Sequence, residues 1–233
     1  MFAIGEISKV ERLTSGSRIA FRLYQNNTLT CPTEDTLVES PLLSYTDPYW
    51  TLPTCPENFT AFSRDNGYWC MQLAVHETCL DRNQSITACA DIYGGVLSGV
   101  ENTAEFNFLA GKSKALNKEI SDGYAAYFFW VNGDRKSTCM PPTKQSASCN
   151  GTNEFTFSDP TLSSDPQGYA WYTSQPDGLT HPTTPPGSCI SLKYFAATGL
   201  CGMDDCSCVA SSQTGSSGYC FKGYACGVSL QLF

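Results

Sequence analysis

Oxygen-bearing side chains stand in two short runs in the last third of this chain. Gln175-Pro176-Asp177 combines an amide with a carboxylate, and Asp204-Asp205 places two carboxylates side by side. Oxygens of these types are the ligands that a hard cation such as Ca²⁺ takes in proteins. Each run also has a plainer interpretation, the first as a proline turn continued by Gly178 and the second as a solvated acidic turn. Neither run alone defines a site.

Other patterns point away from enzyme chemistry. The run Cys201-Gly-Met-Asp-Asp-Cys206-Ser-Cys208 has the ligands of a zinc cluster, but in an oxidising compartment these thiols would form disulfides. The chain has two histidines, His76 and His181, and no G-x-S-x-G motif, so a histidine-dependent hydrolase has little to draw on. No carboxylate pair is singled out for glycoside hydrolysis. We therefore expect a binding protein and not an enzyme.

The cysteine content places the chain outside the cytosol. There are 13 cysteines in 233 residues, and scattered cysteines in such number are kept oxidised in extracytoplasmic compartments. Four N-glycosylation sequons agree with secretion, and they begin at Asn26, Asn58, Asn83 and Asn150. Because 13 is an odd number, at least one cysteine is free or pairs outside the chain, which would allow a disulfide-linked oligomer.

The charge and hydropathy patterns exclude several partners. A net charge of −8 disfavours nucleic acids and anionic membranes, which need a basic face. The longest apolar run, residues 124–131, is far shorter than the roughly 20 residues of a membrane span. The first residues, Met1–Glu6, lack the basic segment and apolar core of a signal peptide. We expect the natural N-terminus to lie upstream, and export by another route is the alternative.

The chain is predicted to consist of an N-terminal extension and one larger domain. Residues 1–54 indicate a short hairpin with a strand over 18–24, followed by a proline-rich linker, and residues 55–233 form the domain. In that domain, Ser85–Tyr93 before Gly94 indicates a first helix, and Asn102 with Glu105 three positions later indicates the start of a second.

The second half of the domain is predicted to be rich in strands. Strands are expected at residues 127–131, 155–157, 169–172, 189–193 and 218–221. Between them lie long loops rich in proline, glycine and serine, which usually need disulfides or bound ions to stay ordered. Two helices followed by such strands predict an α+β fold.

The order of these features resembles the long form of the C-type lectin-like domain, and the scattered cysteines are similar to those of its divergent nematode members. The resemblance covers about Cys55 to Cys226. It rests on Cys55-Pro-Glu-Asn-Phe59 with Tyr68-Trp69-Cys70, Cys89-Ala-Asp-Ile-Tyr-Gly94-Gly95-Val-Leu97 with Val100-Glu-Asn102, Phe129-Trp-Val-Asn-Gly133, Tyr169-Ala-Trp171 with Gln175-Pro-Asp177, and Met203-Asp-Asp-Cys206-Ser-Cys208.

The resemblance implies a disulfide framework and an α+β fold of two helices, small antiparallel sheets and a long loop region. The implied pairs are Cys55–Cys70, Cys189–Cys208, and Cys89 with either Cys220 or Cys226. Cys139 and Cys149 lie ten residues apart and suggest one further local bridge. A Cys201–Cys206 bridge is an alternative left open.

The resemblance also implies a calcium-dependent sugar site. In family members that bind sugars, the ion and its protein ligands together hold two sugar hydroxyls, and the corresponding ligands here are Gln175, Asp177, Asp204 and Asp205. A cis peptide bond before the proline and a galactose-type preference go with the Gln-Pro-Asp tripeptide. One departure stands against the site, since Gly187 occupies the place of a further family glutamate.

Three functions follow as expectations. The first is a secreted carbohydrate-binding module that recognises glycans or glycoproteins through Ca²⁺. The second, favoured by Gly187, is a lectin-like fold without calcium or sugar binding that acts as an extracellular protein-interaction module. The third is an unrelated disulfide-stabilised extracellular domain.

Overall fold

The computed structural model describes most of the chain from residue 54 onwards and four strands before it. The ranges described in full are 54–117, 119–120, 122–141, 146–179 and 185–230. Two features noted above, His181 and the sequon at Asn26, lie outside the described residues. The chain divides into two compact units, Met1–Leu43 and Ser44–Phe233. The domain boundary near Cys55 falls within the second unit and stays a prediction.

Each unit contains a small antiparallel hairpin near its start. In the first unit β1 (Ile7–Arg12) pairs with β2 (Ile19–Leu23), where the sequence predicts a strand. In the second unit β3 (Ser44–Thr46) pairs with β4 (Tyr49–Thr51). These two strands lie within the segment expected to be a linker, and the organisation of residues 1–54 stays a prediction.

A nine-stranded sheet is the frame of the described part of the second unit. Its strands are β5 (Thr60–Arg64), β6 (Gly67–Val75), β7 (Val96–Leu97), β8 (Ala126–Arg135), β9 (Phe155–Thr156), β10 (Cys189–Phe195), β11 (Cys201–Cys206), β12 (Ser212–Gln213) and β13 (Tyr219–Ser229). The main path runs β11-β10-β8-β13-β6-β5. The strand β13 is parallel to β8 and antiparallel to β6, and β10 pairs antiparallel with both β8 and β11.

Two helices with well-formed ends accompany this sheet. The first, α1 (Arg82–Tyr93), begins three residues earlier than predicted, because Asp81 and Gln84 form a capping box. It ends at Gly94, whose left-handed φ of 64° suits glycine. The second, α2 (Thr103–Leu116), begins as predicted after Asn102, which accepts hydrogen bonds from two backbone amides. The predicted α+β fold is confirmed.

The core lies on both faces of the sheet. Strand β8 alternates between the two sides, with Phe129 and Val131 in one cluster and Phe128 and Trp130 in the other. A strand covered on both faces must be apolar throughout, which explains the unbroken run that predicted a buried strand here. The same alternation in β10 and β11 decides which residues can meet at the site described below.

Five disulfides cross-link the described residues. They are Cys55–Cys70, Cys79–Cys220, Cys89–Cys226, Cys139–Cys149 and Cys189–Cys208. Of the two partners left open for Cys89 the structure selects Cys226, since Cys220 bonds to Cys79. A Cys201–Cys206 bridge is wrong: both thiols are free and stand at opposite ends of β11, roughly 16 Å apart at strand rise.

The segment at residues 169–172 is not a regular strand, contrary to prediction. It meets β11 only through a single parallel bridge between Trp171 and Met203. Two backbone bonds define the contact, from Tyr172 N to the Met203 oxygen and from Met203 N to the Ala170 oxygen, both of 2.8 Å. The aromatic side chains there serve packing, since Trp171 stacks on Phe155 at 5.5 Å. The contact places the start of the long loop beside β11.

Candidate functional site

The predicted binding loop leaves the edge of β11 at Tyr172 and turns at Pro176. The peptide bond between Gln175 and Pro176 is cis, as the resemblance implied. Ser174 and Gly178 both have left-handed φ values, of 67° and 63°. The loop therefore reverses direction over a few residues and presents Gln175 and Asp177 outward.

The side chains of Gln175 and Asp177 hydrogen-bond each other at the protein surface. The Gln175 amide donates to Asp177 Oδ2 at 3.1 Å, and its carbonyl accepts from the Asp177 backbone at 3.1 Å. Asp177 Oδ1 accepts from the backbone of Leu179 at 2.9 Å. The result is a partly exposed amide beside an exposed carboxylate, fixed by backbone bonds.

The two neighbouring aspartates of β11 point to opposite faces of the sheet, as successive strand residues must. Asp204 lies opposite Ser191 and accepts from Lys193 Nζ at 2.8 Å. That ammonium lies 5.1–5.6 Å from the centres of three aromatic rings, those of Phe128, Tyr172 and Phe195. Asp204 is thus held on the side away from Asp205.

Asp205 is buried, and its carboxylate holds the loop by accepting hydrogen bonds from backbone amides of the loop. Its Oδ1 accepts from the Asp177 amide at 2.8 Å, and its Oδ2 accepts from the Gly178 amide at 3.0 Å. The same Oδ2 accepts from Arg135 Nη2 at 2.7 Å. The structure therefore brings Asp205 next to Gln175 and Asp177, but it does not bring Asp204 there.

Arg135, at the end of β8, is the cation of this site. Its side chain is 2% exposed, and besides Asp205 it donates through Nη1 to the Glu154 carboxylate and through Nε to the Gly187 carbonyl at 2.7 Å. The guanidinium lies 4.7 Å from the centre of the Phe155 ring. Sequence reasoning missed both Arg135 and Glu154.

The lack of a side chain at Gly187 has a steric reason as well as a chemical one. A Cβ atom at this position would lie 2.2 Å from Asp205 Oδ2 and 3.0 Å from the Asp205 carbonyl oxygen. The backbone of residue 187 can approach the carboxylate and reach Arg135 only when no side chain is present. Position 187 therefore carries no glutamate, and the guanidinium of Arg135 lies in the space beside it.

Burial shifts the pKa of both aspartates in the same direction. Desolvation raises the pKa of Asp205 above its ordinary value, and the charge of Arg135 offsets part of that rise. Desolvation likewise raises the pKa of Asp204, with Lys193 as the offsetting partner. Each carboxylate thus depends on its own cation to stay ionised.

These donors do not fit a calcium ion. Calcium takes 6–8 oxygens around one point, whereas Asp204 and Asp205 face opposite ways and each already bonds a basic side chain. Within the described ranges no group of three or more His, Cys, Asp or Glu side chains is arranged to hold a metal ion.

Two features of the described surface bear on the setting of the molecule. The sequon asparagines Asn58, Asn83 and Asn150 are exposed. Among the residues searched, none of the helices combines the length and the apolar character needed to cross a membrane.

A family model described as C-type lectin domain-containing protein 141/158 matches residues 57–229. Solved structures of similar fold include CEL-IV, with 17% identity over 77% of this chain and 97% of that chain and a TM-score of 0.47. Human lithostathine gives 18% identity over 75% and 90%, with a TM-score of 0.45. A calcium-independent type II antifreeze protein gives 15% over 76% and 95%, with a TM-score of 0.42. No curated protein matches the chain.

Proposed function

Because the chain belongs to the C-type lectin domain-containing protein 141/158 family, we propose that residues 55–233 form a secreted binding module that recognises glycans or glycoproteins. The binding surface is the loop 172–179. The observation that carries this proposal is the pair formed by partly exposed Gln175 and exposed Asp177, in which the Asp177 backbone is anchored to buried Asp205.

The chemistry of this pair suits sugar hydroxyls, which donate and accept hydrogen bonds. An amide offers both a donor and an acceptor, and a carboxylate offers acceptors only. A hydroxyl that donates to a carboxylate makes a charge-assisted bond, roughly twice as strong as a neutral one. Tyr172, at the start of the loop, is partly exposed and adds an amphipathic ring beside the pair.

The proposed location outside the cell rests on the disulfides. Five bridges, two of which span 137 and 141 residues, require an oxidising compartment to form and persist. The exposed sequons at Asn58, Asn83 and Asn150 are compatible with glycosylation in the same pathway. We propose no catalytic role for this module.

Retention on immobilised galactose and mannose, with a broad glycan array, tests the proposal. Each run is made in calcium and in EDTA. We expect retention by the native protein in both buffers, and its loss in Gln175→Ala and in Asp177→Asn. The matched control is Asp91→Asn, which changes an exposed carboxylate on α1. The proposal fails if the folded native protein binds no glycan, or if Asp177→Asn behaves like the control.

A protein-interaction module without sugar binding is the second candidate. The observation that favours it is the apolar side chain of Leu179, which is 68% exposed within the loop 172–179. A partner whose binding survives enzymatic removal of its glycans, but is lost in Leu179→Ser, would support this candidate over the first.

A further inference from the structure

We infer that the guanidinium of Arg135 takes the place of a metal ion as the cation that holds the binding loop. The loop 172–179 and the segment around Gly187 are both tied to β11 through this one side chain and its partner Asp205. Arg135 is thus a positioning residue that acts through Asp205. The inference concerns how the loop is held, and it does not require that the ligand be a sugar.

The first argument is the number of segments that meet at the guanidinium. It contacts Glu154 from the turn before β9, Asp205 from β11 and the carbonyl of Gly187 from the long loop region. Two of these partners are carboxylates and the third is a backbone carbonyl, and oxygens of both kinds accept hydrogen bonds from a cation. Arginine offers five N–H donors in a fixed plane, so one side chain can connect several oxygens at set directions.

The second argument is the path from the cation to the loop. Asp205 accepts from Arg135 on one side and from the amides of Asp177 and Gly178 on the other. A carboxylate accepts stronger hydrogen bonds when it is ionised. Because Asp205 has no side-chain exposure, it needs a buried positive charge to remain ionised, and Arg135 supplies it.

The third argument is that a calcium ion and Arg135 would compete for the same atoms. Arg135 Nη2 lies 2.7 Å from Asp205 Oδ2, and a calcium ligand distance is of the order of 2.3–2.6 Å. The site therefore holds one cation or the other. The ring of Phe155 beneath the guanidinium favours the planar cation, since arginine stacks on aromatic faces.

The experiment compares Arg135→Ala and Arg135→Lys with a matched control, Arg82→Ala. Arg82 also bonds one aspartate, Asp134 at 2.7 Å, but that aspartate is 50% exposed. Limited proteolysis under native conditions reports cleavage within residues 172–188 against cleavage elsewhere. We expect cleavage in this segment to be about tenfold faster in Arg135→Ala, the change that loss of a charge-assisted bond gives.

Two further measurements separate positioning from a general structural role. Ethylguanidinium added to Arg135→Ala should slow loop cleavage, whereas it should leave Arg82→Ala unchanged. Arg135→Lys should be cleaved faster than the native protein, because an ammonium cannot bond Asp205, Glu154 and Gly187 in one plane.

The native protein gives a test that does not depend on a variant folding. Its melting temperature should be the same in millimolar calcium and in EDTA, and titration with calcium should give no heat. A calcium-dependent rise in melting temperature would overturn the inference, as would loop cleavage in Arg135→Ala equal to that in Arg82→Ala. None of these readouts uses a glycan, so failure of the proposed function would leave them unaffected.

Discussion

Replacement of Arg64 by methionine should destabilise the module more than the loss of any other single ion-pair partner named above. Arg64 lies at the end of β5 and donates to Glu105 at 2.8 Å through both Nε and Nη2, and to Asp159 at 2.9 Å through Nη1. Further bonds reach Thr161 at 2.8 Å and the Gly99 carbonyl at 3.1 Å. All five N–H donors are therefore used.

The magnitude follows from burial. The side chains of Arg64, Glu105 and Asp159 have no exposure, so Arg64→Met leaves two carboxylates buried without a cation. Removal of one partner of a buried pair costs about 3–5 kcal/mol, and two stranded carboxylates place this variant near the upper end. In a domain of this size we expect a fall in melting temperature of about 10–20 °C.

The assay is urea and thermal unfolding with the disulfides intact. The control is Arg82→Met, because Asp134 is half exposed, so the carboxylate that this variant leaves behind stays solvated and its loss of stability should be smaller. Neutralising both acids together, in Arg64→Met/Glu105→Gln/Asp159→Asn, should recover much of the loss, since the cost comes from uncompensated charge. A loss in Arg64→Met no larger than in the control would refute the reasoning.

Two further predictions concern the loop anchor and the ion pair between Asp122 and Lys222. Gly187→Ala places a methyl group 2.2 Å from Asp205 Oδ2 and should lower the free energy of unfolding in urea by about 1–3 kcal/mol. The control is Gly111→Ala, in an open position of α2, which should raise the free energy of unfolding by about 0.5–1 kcal/mol. Equal effects of the two variants would contradict the steric argument. Burial alone would raise the pKa of Asp122, but hydrogen bonds, that from Lys222 first, outweigh it and lower the pKa. A lowered pKa stabilises the fold at pH values above the ordinary pKa of the group. Asp122→Asn should therefore be less stable than the native protein at neutral pH, and the difference should shrink as the pH falls through the lowered pKa. A difference that is constant with pH in thermal unfolding would count against this ion pair.

The sequence predicted the parts of the fold that depend on neighbours along the chain. Asn102 and Glu105 marked the start of α2, and Gly94 marked the end of α1, because helix ends are set by capping within a few residues. The predicted start of α1 lies three residues too late, because its capping box has Asp81 at the N-cap in place of the usual serine or threonine, with Gln84 as the second member.

The parts that depend on distant residues were harder to predict. Glu154 and Asp205 lie 19 and 70 residues from Arg135, and no local pattern announces that these three side chains meet. The tripeptide Gln175-Pro176-Asp177 was recognised, but the register of β10 and β11 decides that Asp204 faces the other way. The sequence contains one signal for this arrangement: because Gly187 lacks the carboxylate, a basic residue can occupy the space that a glutamate side chain would fill.

The position of β13 has a consequence for the order in which the protein can form during synthesis. This last strand lies between β6 and β8, so these two strands have no neighbour between them until the C-terminal residues have been made. Cys79 and Cys89 wait 141 and 137 residues for their partners, roughly 10–30 s of translation. During that interval Cys55–Cys70 and Cys139–Cys149 can close, whereas the centre of the sheet remains open and its thiols are available to oxidoreductases. Completion of the module therefore follows synthesis of β13, and a truncation before Cys220 would leave Cys79 and Cys89 without partners as well as a divided sheet.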